Sequence, residues 1–148
     1  MIQIKVSEKP TDAQRKAIFT PLVAYNAAMV GDPRLETLAL LLEDLEKGEI
    51  IGGLWGKFFH DWLFIELLFV PEDLRERGFG ANLMARAESA ARDRQCVGIW
   101  LDTHSFQAPV FYKKLGYEVF GSLDDYPIGA SRHFLSKSLR TPIKRGDI

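Results

Sequence analysis

Apolar and polar positions along this chain change period several times, and each change marks an element. Ile2-Gln3-Ile4-Lys5-Val6 alternates with a period of two, the pattern of a half-buried strand. Pro10-Thr11-Asp12 then supplies helix-start chemistry, and Ala17, Ile18, Leu22 and Tyr25 recur at helical spacing over residues 13–29. Pro21 sits inside that run and is expected to kink or split it, and Gly31-Asp32-Pro33 ends it. A β region follows. Residues 38–42 form a short apolar run, Glu46-Lys47-Gly48-Glu49 reads as a hairpin turn, and residues 50–59 read as a strand. His60-Asp61 is a second turn and residues 62–70 a third strand. Gly52, Gly53 and Gly56 inside a strand point to a bulge or a close approach of backbones.

After Pro71-Glu72-Asp73-Leu74 the period lengthens. Phe79, Leu83, Met84, Ala87 and Ala91 share one face of a helix over about residues 78–94. Residues 97–101 are an apolar run of strand length, and residues 108–115 a short helix closed by Gly116. Residues 117–120 and 132–139 finish as strands, joined by the turn-rich Asp124-Asp125-Tyr126-Pro127-Ile128-Gly129. The tail after Arg140 is polar and is expected to fray. The order β-α-β-β-β-α-β-α-β-β predicts an α+β chain with a mostly antiparallel sheet and helices over its faces. A length of 148 residues predicts one domain spanning 1–148.

Charge narrows the function classes. Nineteen basic against twenty acidic residues leave a net charge of −1, unlike a general nucleic-acid binder with its basic face. The single cysteine, Cys96, excludes an internal disulfide and a cysteine zinc cluster, and fits a reducing compartment. Cys96 has no histidine near it in sequence and reads as core or strand edge. His60, His104 and His133 are scattered, so no metal is expected. The greasiest segment, residues 62–70, is too short to span a bilayer and carries Glu66, and the N-terminus has no signal-peptide core. The expectation is a cytoplasmic protein without nucleic-acid or membrane partners.

The informative segment is Val70-Pro71-Glu72-Asp73-Leu74-Arg75-Glu76-Arg77-Gly78-Phe79-Gly80-Ala81-Asn82. An apolar strand feeds a loop, then two glycines one residue apart, then a helix. The first helical turn has N–H groups without intrahelical partners, and its dipole favours an anion. Gly78 and Gly80 leave those amides open to approach, and Arg75 and Arg77 add positive charge, which is the physics of a pyrophosphate cradle; a tight helix entry is the competing reading of the two glycines. Gly80 is not followed by the Lys-Ser/Thr of a nucleotide P-loop, and Leu83 stands where a dinucleotide fingerprint needs its third glycine.

Arg75-x-x-Gly78-x-Gly80 after a strand resembles the acetyl-CoA signature of the GNAT superfamily of N-acyltransferases, and Ala108-Pro109-Val110-Phe111-Tyr112-Lys113-Lys114-Leu115-Gly116-Tyr117 resembles its second conserved block. The expected strand order matches as well. The resemblance implies a twisted mixed sheet of six to seven strands, helices on both faces, and a central pair, residues 62–70 and 97–103, that splays to admit acetyl-CoA as co-substrate. It also implies that main-chain groups of Leu68, Phe69 and Val70 bond the pantetheine amides, while amides from Arg75 through Phe79 and Gly80 to Ala81 hold the pyrophosphate, with Asn82 adding a side-chain contact. Phe111 and Tyr112 fall in the second block, and Tyr112 matches a tyrosine beside the thioester sulfur. Packing is the competing reading for Tyr112. The superfamily's asparagine three residues before Ala108 is replaced by Ser105, and Gln107 is the alternative pantetheine contact.

The implied reaction is direct attack by an amine on the thioester, with an N–H of Phe69 or Val70 steadying the oxyanion. Glu66 resembles in position the base of some relatives. Alternation puts it on the side of Leu68 and Val70 if no bulge intervenes, and a salt bridge is its competing reading. Asp102 and His104 are rival bases, more simply read as a turn-capping aspartate and a surface histidine. Asp124, Asp125 and Tyr126, with Glu66, Asp61 and Asp102, are expected to form an acidic mouth for a small cationic amine. Turn formation is the plainer reading of Asp124 and Asp125. A protein N-terminus or lysine is the second acceptor class, and a non-catalytic acyl-CoA-binding module the second function. The strand carrying Phe134 and Leu135 is expected as an exposed edge open to homodimer pairing.

Overall fold

The computed structural model describes residues 1–140, so the polar tail expected after Arg140 lies outside the described residues. The chain divides into two compact units, Met1–Pro33 and the residues from Arg34 onward. The first unit holds α1, Asp12–Val30. Its start follows the sequence: Thr11 accepts from the Gln14 amide while the Gln14 side chain accepts from the Thr11 amide, closing a capping box. Gly31, with φ +88, ends it. The split expected at Pro21 does not occur. One missing N–H leaves enough of the ladder on either side for the helix to run through. The strand expected at residues 2–6 is also absent. Alternation only prepares a strand, and a ladder partner and a buried face must complete it, whereas residues 1–10 are all exposed.

The second unit is built on six strands: β1 Glu36–Asp44, β2 Glu49–Phe59, β3 Trp62–Phe69, β4 Gly98–His104, β5 Glu118–Asp124 and β6 Ser131–Ser138. Their order across the sheet is β1-β2-β3-β4-β6-β5. Every neighbouring pair is antiparallel except β3 and β4. A parallel pair needs a crossover, supplied here by α2, Phe79–Asp93. The short α3, Pro109–Lys114, links β4 to β5. β1, β2 and β3 form a meander whose second turn is the two-residue His60-Asp61, with φ +45 and +66, matching the right-handed twist of its strands.

The core forms where α2 lies against β1 to β4. Leu83, Met84, Ala87 and Ala91 of α2 meet Leu54, Phe58, Leu63, Ile65, Ile99, Leu101 and Leu135 of the sheet. Cys96 is buried in the same cluster, as its sequence context suggested, and burial pushes its thiol pKa up, away from nucleophilic character. The edge expectation for residues 132–139 is corrected. β6 lies between β4 and β5 with both sides paired, and Leu135 is fully buried, so the free edges belong to β1 and β5. Sequence order had placed β6 last, but the antiparallel return of the chain inserts it inward.

Candidate active site

The glycine signal in β2 corresponds to a register break. Trp55 pairs Leu67 and Gly56 pairs Ile65, so Glu66 is the extra residue of a bulge in β3. Before it, Leu63 and Ile65 face the core; after it, Leu68 and Val70 do. The condition placing Glu66 with Leu68 and Val70 therefore fails. Its carboxylate lies 3.8 Å from Lys57 on the exposed side of β2 and β3.

The same place opens the sheet. β3 and β4 are paired only from Trp62–Gly98 to Ile65–Leu101. Beyond that, β3 stays with β2 as far as Phe69, while β4 stays with β6 as far as His104. Among the described residues the β4-facing edge of β3 over Glu66 to Phe69 thus has no strand partner, and its N–H and C=O groups suit an extended amide-bearing chain.

β3 leads through the turn Glu72–Leu74 to the start of α2. Gly78 is the N-cap with φ +84, a left-handed conformation that leaves the helix entry without a capping side chain. No acidic residue occupies the first turn. The amides of Phe79, Gly80 and Ala81 therefore meet an anion with the helix dipole behind them, whereas the Asn82 amide already bonds the Gly78 carbonyl. A Cβ on Gly80 would sit 3.2 Å from the Phe111 ring, so Gly80 also lets α3 close on this turn. Arg75 Nε donates to the Val70 carbonyl at 2.9 Å, which braces the loop. Arg77 lies over the Phe79 ring, and the Asn82 side chain accepts from Arg86 Nε. These groups fit a pyrophosphate: open amides, two guanidiniums and no acidic residue in the first turn of α2.

Tyr112 of α3 is buried against Phe111 and Tyr117. Burial first, and the Asp102 carboxylate second, push its hydroxyl pKa up to about 12. Gln107 is engaged locally: its carbonyl oxygen accepts from Thr103 Oγ1 and from the His104 amide. Ser105 Oγ accepts from the Ser131 amide and ties the end of β4 to β6.

Asp102 is not a turn cap. Arg132 Nε and Nη2 both reach its Oδ1 at 2.9 Å. His104 Nδ1 lies 3.0 Å from the Tyr126 carbonyl, which can only accept, so Nδ1 carries a proton and Nε2 is the acceptor of the neutral ring. The His104 ring stacks with Phe106 and Tyr126, and Arg132 lies over Tyr126. Asp102, His104 and Tyr126 therefore come together. Asp125 accepts from the Gly129 amide and Asp124 from Ser131 Oγ, as turn residues do. The acidic, partly aromatic mouth expected from Asp124, Asp125 and Tyr126 with Glu66, Asp61 and Asp102 does not assemble as a set. Asp61 sits in the turn at the far end of β3, Glu66 is beside Lys57, and Asp102 is matched by Arg132. The residue that sequence reading missed here is Arg132, thirty positions from its partner and without a local motif.

Comparison with known proteins places these features. Residues 5–117 match the model of the Acetyltransferase (GNAT) family. Blasticidin-S acetyltransferase of Streptomyces morookaense is 44% identical over 95 residues, covering 64% of this chain and 70% of that protein. An acetyltransferase of Agrobacterium fabrum is 38% identical over 122 residues, covering 82% and 88%. The crystal structure of an acetyltransferase from Bacillus cereus superposes with a TM-score of 0.82 at 36% identity, covering 91% of this chain and 98% of that one.

Proposed function

The chain belongs to the Acetyltransferase (GNAT) family, and from that premise we propose that it moves the acetyl group of acetyl-CoA to a primary amine of a small cationic acceptor by direct attack. The observation that carries this reading is the unpaired edge of β3 ending at an uncapped helix start. A relative named for blasticidin-S supports a small acceptor over a protein N-terminus or lysine. Acetyl-CoA supplies an activated thioester. Main-chain groups of Leu68, Phe69 and Val70 bind its amide-bearing arm, and the amides of Phe79, Gly80 and Ala81 hold its pyrophosphate, whereas the Arg75 amide is already taken by the Glu72 carbonyl.

Tyr112 serves the leaving thiolate as a hydrogen-bond donor that keeps its proton. With its pKa near 12, full transfer to a thiolate with a conjugate-acid pKa of about 8.5 is uphill by about 5 kcal/mol. An N–H of Phe69 or Val70 steadies the oxyanion. The attacking amine needs help: at a pKa of about 10.4, roughly one in 2,500 is neutral at pH 7. Glu66 takes that proton through water. A second reading assigns the base to His104, because its Nδ1 contact with the Tyr126 carbonyl leaves Nε2 as acceptor. Of Glu66→Gln and His104→Asn, the variant that abolishes the acid limb of the kcat/KM profile identifies the base.

The decisive assay is thiol release from acetyl-CoA with a panel of primary amines. Tyr112→Phe is expected to bind CoA with native affinity and turn over at least tenfold more slowly, a loss of about 1.4 kcal/mol or more. Unchanged turnover removes the donor role. Tight CoA binding with no turnover on any amine favours the non-catalytic module.

A further inference from the structure

Alternation sends Leu63, Ile65, Ile99, Leu101 and Leu135 into the core, and therefore sends Trp62, Phe64, Trp100 and Ser136 to the opposite face of the sheet. That face holds a cavity of about 470 Å³ lined by Trp62, Trp100, Phe120 and Ser136. Its size is that of a small-molecule site. Two devices shape it. Phe64 lies nearly parallel to Trp100, with ring centroids 4.1 Å apart, which fixes the plane of the indole. Phe120 is the extra residue of a second bulge, between Val119 and Gly121 of β5, and a bulge re-aims its side chain. The result is a ring that lines the cavity while remaining 62% exposed.

The cavity shares its sheet face with residues beside the opening between β3 and β4. Asp102 follows Trp100 by two residues on the same face, about 7 Å along the strand. It stands where the two strands have just parted. Between them the surface is aromatic and polar by turns: Arg132 joins Asp102 and lies over Phe134 and Tyr126. Among the described residues no ionisable side chain lines the cavity, and Ser136 offers it a hydroxyl.

We propose that this cavity is the distal half of the acceptor site and takes an uncharged flat aromatic or heteroaromatic ring, tethered by a few atoms to the amine that is acetylated. The inference rests on the transferase reading and sharpens it. A linear polyamine can offer these rings only an ammonium for a cation–π contact, whereas a ring buries flat apolar area, stacks on Trp100 and gains one hydrogen bond from Ser136.

The test measures binding first and turnover second. CoA-loaded protein is titrated calorimetrically with tryptamine and 2-phenylethylamine, and with the ring-free 1-propylamine and 1,4-diaminobutane. Ring-bearing amines are expected to bind at least tenfold tighter, and Trp100→Ala is expected to bring that ratio close to one. Phe120→Ser, at a largely exposed position, is expected to lower the ratio at least threefold. In turnover of the unaltered protein the preference should appear in KM. Equal affinity for both kinds of amine, or a ratio untouched by both substitutions, overturns the proposal. Acetylation of ring-free amines as efficient as that of ring-bearing ones leaves the transferase standing and removes the ring site. Ring binding without acetylation of any amine does the reverse.

Discussion

Tyr112 and Tyr117 meet edge to face, with centroids 6.1 Å apart, and both are buried. Burial raises the pKa of both hydroxyls, helped by Asp102 at Tyr112 and by Glu88, which accepts the Tyr117 hydroxyl, at Tyr117. Below about pH 10 folded and unfolded chains both hold these protons, and the full contribution to stability is present. Above it the unfolded chain releases them first, so stability falls as pH rises toward the folded values. The urea midpoint is expected to drop between about pH 9 and pH 11, and to drop less in Tyr117→Phe; an equal drop in the variant contradicts the assignment. At this scale the sequence was partly legible. Tyr112 stood out in a motif, but the carboxylate that biases it, and the Arg132 that holds that carboxylate, are joined to it only by strand pairing.

Among the elements, the start of α2 was the most legible, because a helix entry is local: two glycines, two arginines and an apolar face write it out over a few residues. Gly80→Val tests it. The added side chain begins 3.2 Å from the Phe111 ring and covers the first-turn amides. CoA affinity is expected to fall at least tenfold, about 1.4 kcal/mol, by calorimetry; native affinity rules the cradle out. The bulges at Glu66 and Phe120 were less legible. Glycines signalled that β2 and β3 depart from regularity, but not which residue becomes the extra one, since that depends on the partner strand's register. Residues 2–6 teach the opposite lesson, with good alternation and no ladder.

At the scale of the sheet unit, a buried carboxylate ties distant pieces together. Glu88 of α2, 8% exposed, receives Lys137 of β6 at 3.1 Å on each oxygen, while Lys137 also bonds the Leu115 carbonyl below α3. Arg92 stands one helical turn away, 3.7 Å from Glu88. Removing Lys137 strands the buried Glu88 carboxylate, and removing Glu88 leaves the Tyr117 hydroxyl without its acceptor and Lys137 with only the Leu115 carbonyl. Glu88→Ala is expected to lower stability by roughly 3 kcal/mol in urea unfolding, and Lys137→Met added to it to cost little more. Two full, additive losses would show that the groups act independently.

The sequence by itself determined the element types from residue 12 onward, the helix entry with its amides, the position of Tyr112 and the family, because each is written in neighbouring residues or in short fixed spacings. Only the tertiary structure decided which face Glu66 takes, where β6 inserts, that Asp102 is matched by Arg132, and that two tryptophans and a phenylalanine share one cavity. Those outcomes depend on register between strands far apart in sequence. A slip of one residue reverses a side chain's face, and nothing local to that residue records the slip.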